Sequence, residues 1–262
     1  MGSVPFRRPA AIASAVLLSV VSLASGARGQ VAISQAEMAA ALTGGLPQQQ
    51  LNAIDQIRQV PVTQRGGAIR SAVILELDRY QDYLDNRLAR VRSGLPAPTR
   101  DDHGLYLFGL LEILVQYRDP STIPSLLPWI GTGNVVMNAI VEHGELAARP
   151  VANMVDSAET MQGDVSAGLL TLERMLGRER QLALSETSRQ RILEVAANRL
   201  MGRQEAAVVI SAIKLAITST DAELIARVRQ LATDSAAIRQ LVIGDEELVA
   251  YVQEKARTAL GG

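Results

Sequence analysis

Beyond Gln30, apolar side chains recur three and four positions apart almost throughout the chain, and no stretch keeps a strict apolar–polar alternation. A period near 3.6 buries one stripe of a helix, whereas a strand needs a period of two, so the pattern restricts the chain to helices packed on helices. Residues with turn chemistry interrupt the pattern at regular intervals: Gly44-Gly45, Pro61, Gly66-Gly67, Ser93-Gly94, Asp119-Pro120, Gly131-Thr132-Gly133, Gly144, Gly163, Gly202, Thr220-Asp221 and Gly244-Asp245. Glycine and proline end helices, so these breaks predict about ten or eleven short helices with tight links, an all-α chain. Capping signals agree. Ser34 is followed three residues on by Glu37 and Thr99 by Asp102, while Asp221 and Asp245 stand where caps belong.

The helix expected over about 68–91 stands out by its length. Its apolar residues Ile69, Val73, Leu77, Tyr80, Leu84, Leu88 and Val91 form one stripe, which suits packing onto the chain's own core or a short seam with a partner helix. Packing onto the core is the expected use. Two other segments, Leu105–Tyr117 and Ala206–Ile217, are apolar on nearly every side and must be covered from several directions. Both are too short to cross a bilayer.

The first 27 residues read differently. Arg7 and Arg8 are followed by an uncharged run of alanine, valine, leucine, isoleucine and serine from Ala10 to Ser25, then by the small residues Ser25, Gly26 and Ala27. That order matches a secretory signal peptide with a cleavage site after Ala27; an uncleaved anchor is the alternative. The paired arginines also fit twin-arginine export. Cleavage would move the net charge from -1 to about -3. The expected organisation is a leader over 1–27, an N-terminal helical region over 28–100 and helix pairs over 101–262.

In the last region the residues resemble a known repeat. After Leu105–Tyr117 the chain reads RDPSTIPSLLPWIGTG: Asp119-Pro120 forms the turn, and Ile123, Leu126, Leu127 and Ile130 mark the face of the next helix. Asn134–His143 and Glu145–Val155 follow as another pair, and Asp221, Leu224, Ile225, Val228 and Leu231 repeat the second-helix frame. The segment is similar to HEAT-like helical repeats, most closely over 104–157, less closely over 187–260 and least before 100. Proline recurs in this frame only as Pro150, and the repeat length drifts, so a non-repetitive helical bundle stays open. The tetratricopeptide pattern is not present. The resemblance implies an α-solenoid of stacked antiparallel helix pairs, whose usual use is to offer a surface to another macromolecule.

Little chemistry is written into the chain. It has no cysteine, which removes disulfides, thiolate catalysis and zinc–thiolate sites. His103, beside Asp101 and Asp102, and His143, between Glu142 and Gly144, lack metal-ligand spacing, and each reads as a residue at a helix end. A cation at the His143 position would be favoured by the helix dipole. Gly131-Thr132-Gly133 follows a helix and lacks the lysine half of a phosphate loop. Carboxylate pairs such as Asp101-Asp102 and the run Asp245-Glu246-Glu247 sit at helix starts, where acids are stabilising in any case. No catalytic, cofactor-binding or metal-binding residue is therefore assigned.

Charge and aromatic placement say more about partners. Residues 101–164 carry nine acids against Arg118 and Arg149, while the flanks lean basic. An acidic middle is a poor track for a phosphate backbone and can steer a basic partner. Arginine outnumbers lysine 24 to 2, so nearly every cation is a guanidinium. Phe108 and Trp129 are expected in the core, and at least one of Tyr80 and Tyr83 at the surface. Together these features predict an exported, non-enzymatic HEAT-like adaptor or scaffold that binds another protein, without nucleic acid and without membrane insertion after cleavage. The alternatives are a lyase- or glycosylase-type enzyme on the same scaffold and a structural envelope component that self-associates through the long helix.

Overall fold

The structure, a computed structural model, describes residues 34–96 and 103–261. The expected leader lies outside the described residues, as does the proposed Thr99–Asp102 cap. The chain is all-α. Fourteen α-helices occur among the described residues. They are α1 (Gln35–Gly44), α2 (Pro47–Gln59), α3 (Gly67–Arg92), α4 (His103–Val115), α5 (Ile123–Leu126), α6 (Asn134–Glu142) and α7 (Glu145–Asp156). Next come α8 (Gln162–Gly177), α9 (Glu179–Leu182), α10 (Glu186–Arg199), α11 (Ala206–Ser219), α12 (Ala222–Thr233), α13 (Ser235–Leu241) and α14 (Glu246–Ala259). None is long and apolar enough to cross a membrane.

Local chemistry accounts for most boundaries. The Ser34 hydroxyl accepts from the Glu37 N–H at 3.2 Å while the Glu37 carboxylate accepts from the Ser34 N–H at 2.7 Å, a complete capping box on α1. Asp221 and Asp245 cap α12 and α14 as their positions suggest. Long α3 ends in a Schellman motif: Gly94 sits at φ 71, its N–H donates to Val91, and the Leu95 N–H donates to Arg90 at 2.9 Å.

Two sequence expectations need correction here. The helix face Ile123, Leu126, Leu127 and Ile130 is not one helix but the single turn of α5 followed by a three-ten segment, Leu127–Thr132. Pro124 and Pro128 remove backbone donors four residues apart, so a regular α-helical ladder cannot run through them. A minimal sheet also exists. Gln204–Glu205 (β1) and Val242–Ile243 (β2) pair in parallel where the chain is extended between helices. At two residues each, these strands join neighbouring links and add no layer.

One apolar core runs from Met38 to Ala256. α1 packs on α2 and α3, and α4 lies against both α2 and α3, so the regions on either side of residue 100 share a core. α4 meets α6, which packs on α8; α7 joins α8 to α10. α8 packs broadly on α11, and α11 in turn on α14, with α12 and α13 beside α14. Each helix thus finds its partners among elements close to it in the chain. α11, apolar all round in sequence, is covered by α8, α10, α12 and α14, which is the covering its composition demands.

α3 is only half packed. Ile69, Val73, Leu77 and Tyr80 are buried, Leu84 is half-buried, and from there the stripe emerges into solvent, with Leu88 43% and Val91 54% exposed. The expectation that the whole stripe is core holds only as far as Tyr80.

Candidate interaction groove

Where α3 leaves the core, three aromatic rings pin it. Tyr80 lies 6.0 Å from Tyr83 and 5.8 Å from Trp129, centroid to centroid, at tilted angles that suit the ring quadrupoles. Trp129 is buried as expected and Tyr83 is half-buried. Phe108 is not in the core: it is 57% exposed, sharing a face of α4 with Leu105 and Glu112 while Tyr106, Leu110, Ile113 and Leu114 turn inward. Because α4 is apolar on almost every side, periodicity gives no preference for which face is inside.

Beyond the aromatic group, the free half of α3 forms one wall of a groove of about 730 Å³. That wall is Gln81, Leu84, Asp85, Leu88 and Arg92. Leu127, Pro128 and Trp129 belong to the floor, and Met154, Met161 and Asp164, at the ends of α7 and α8, supply the far side. The floor is the proline-broken segment after α5, whose three-ten turns stand where a continuous helix would otherwise run.

The rim is acidic. Asp85 accepts from Gln81 at 3.2 Å. Asp164 accepts from the Gly131 backbone N–H, yet burial outweighs that bond and pushes its carboxyl above the ordinary aspartate value. Glu159 adds a third acid, against the one cation Arg92. Among the described residues Arg92, Glu159 and Asp164 enter no ion pair.

No family, curated protein or solved structure matches the chain. The groove must therefore be judged from its own chemistry.

His143 ends α6 with a half-buried ring, and burial lowers its pKa despite Asp119 and Glu142 nearby. The cation expected there from the helix dipole is disfavoured by desolvation, which corrects the sequence reading. His103 begins α4. No group of three His, Asp or Glu side chains converges among the described residues.

A second groove, of about 530 Å³, lies between α11 and α14. Ile210, Ile213 and Ile217 line it beside Tyr251, and so do Lys214 and Lys255, the only two lysines in the chain. The Lys255 ammonium sits 5.1 Å from the Tyr251 ring centroid, within cation–π range. Neither this pairing nor the α3 groove could be read from spacing, because each joins residues far apart in sequence.

Proposed function

We propose that the protein is an exported, non-enzymatic adaptor or scaffold of the cell envelope, built on stacked antiparallel helix pairs of the HEAT-like kind. Export rests on the Arg7-Arg8 start, the apolar run and the small residues ending at Ala27. The stacked arrangement is supported by the way α7, α8, α10, α11 and α14 pack on elements near them in the chain. The observation that carries the binding reading is the α3 groove. Exposed Leu88 and Met161 line it with half-buried Leu84, Leu127 and Met154, carboxylates rim it, and one wall is a helix. An amphipathic helix with a basic flank is the ligand such a surface fits.

Two of the groove's three carboxylates have structural duties, which favours binding over catalysis: Asp164 receives the Gly131 N–H and Asp85 the Gln81 amide. An enzyme would recruit Asp164 as its raised-pKa acid. Trp129, however, is 4% exposed and offers no face for a substrate to stack upon.

A photo-crosslinking amino acid at position 161, compared with one at exposed Met201 outside the groove, tests the reading in intact envelopes. Discrete protein adducts at 161 and none at 201 are expected. Equal or absent labelling at both positions would rule the groove out as a binding site.

A further inference from the structure

The helix that the groove fits is present in the chain itself. We infer that the occupant of the α3 groove is the free half of α3 from a second copy, paired antiparallel about a two-fold axis near Leu88. The inference rests on reading the groove as a helix-binding surface and names its partner.

Three observations converge on it. First, α3 continues for about three turns beyond its last buried residue, Tyr80, and still carries apolar Leu84, Leu88 and Val91 at spacings of 4 and 3, with exposed Leu95 just past its end. An isolated helical segment of this length is marginal in water, so a partner is what the stripe lacks. Second, the face that lines the groove is self-complementary. Asp85 and Arg92 lie two turns apart on either side of Leu88. Antiparallel pairing centred there sets Leu88 against Leu88 of the second copy and Leu84 near its Val91. It also places Asp85 beside its Arg92, and Arg92 beside its Asp85. In antiparallel helices like flanks meet, so one acid and one base on the same flank satisfy both copies at once. Third, the groove's far side is acidic through Glu159 and Asp164, while the free half of α3 turns basic toward its end with Arg87, Arg90 and Arg92. An incoming α3 therefore meets charge of the opposite sign.

A parallel arrangement brings opposite flanks together and sets Arg87 against Arg92 of the second copy, like charge against like charge on both sides of the pair. The antiparallel pairing is the one the charges select.

The test is the mass of the purified protein in solution by light scattering, with four variants. The wild type is expected at about twice the mass that the same preparation shows for its single polypeptide under denaturing conditions. Leu88→Asp, a substitution at a half-exposed position that the monomer tolerates, is expected to give a monomer with unchanged circular dichroism and thermal midpoint. Asp85→Arg and Arg92→Asp alone should each weaken the dimer at least about tenfold, because every change counts twice across a two-fold axis. The double variant D85R/R92D reverses both partners together and should recover the dimer to within about threefold. A wild type that stays monomeric up to about 0.2 mM overturns the inference. So does a dimer that survives Leu88→Asp, or one that the charge swap fails to restore. If the wild type is monomeric while position 161 still crosslinks to a different protein, the adaptor reading stands and the self-pairing falls. If it is monomeric and position 161 captures nothing, both fall.

Discussion

Glu145, the first residue of α7, caps a helix that begins forty residues later: its carboxylate accepts from the Ser185 N–H at 2.9 Å. The Ser185 and Ser188 hydroxyls donate to the same group at 2.8 and 2.7 Å. Ser185 is itself the N-cap of α10, so one acid serves the starts of two helices and ties them together. Glu145→Ala is expected to cost about 1–2 kcal/mol in denaturant unfolding, and Glu145→Gln less. The same bonds hold the Glu145 pKa below its ordinary 4.5, chiefly through the Ser185 N–H. Its stabilising contribution is complete above that value and is lost as pH falls through the lowered one. A Glu145→Ala protein as stable as wild type at pH 7 would contradict this role.

His143 acts in a higher pH window. Burial holds its folded pKa below 6.5, so the unfolded chain binds the proton first. Stability is then full above about 6.5 and declines as pH falls toward the folded value. Replacing His143 with Gln should flatten the thermal midpoint between pH 7 and 5, which a scan of the two proteins across that range would reveal.

Gly168 is where α8 approaches α7. A Cβ added there would meet Met154 Cε at 2.7 Å and collide with Val155 as well. Gly168→Ala should therefore destabilise by about 1–3 kcal/mol although alanine is the better helix former. Because Met154 also lines the α3 groove, crosslinking at position 161 should fall in the same variant.

Thr220, after α11, is held in the left-handed region at φ 56, where a β-branched residue is strained. Thr220→Gly should raise stability by about 1 kcal/mol, measured as a shift of the urea midpoint with unchanged slope. Loss of stability would mean that the Thr220 side chain has a role that outweighs its backbone strain.

Asp164 tests the rim of the groove. Its carboxyl is raised by burial, so the ionised form is disfavoured in the folded chain, and stability falls as pH rises through the folded value. Asp164→Asn keeps an oxygen for the Gly131 N–H and removes the buried charge. At pH 7 it should match or exceed wild-type stability, whereas Asp164→Ala, which orphans that donor, should fall below it.

These relationships differ in how visible they are along the chain. The limits of α3 and the caps at Ser34, Asp221 and Asp245 follow from local residue chemistry, and the expected long helix over 68–91 is within a residue of the observed Gly67–Arg92 at each end. The break within Ile123–Ile130 carried a local signal in the spacing of Pro124 and Pro128, but the apolar frame of the repeat masked it. Phe108 was misplaced because α4 has no polar face to orient it. The partnership of Glu145 with Ser185, and the groove itself, depend on which helices come side by side. Neither periodicity nor capping rules contain that information.

The confinement of both lysines to the groove between α11 and α14 gives the molecule a practical handle. Among the side chains, amine-reactive esters would find only these two ε-amines, with the α-amino group the other site of reaction, and would leave every residue that lines the α3 groove chemically untouched. The protein can thus be dye-labelled or coupled to a surface through its amines with the α3 groove left open, without introducing a tag.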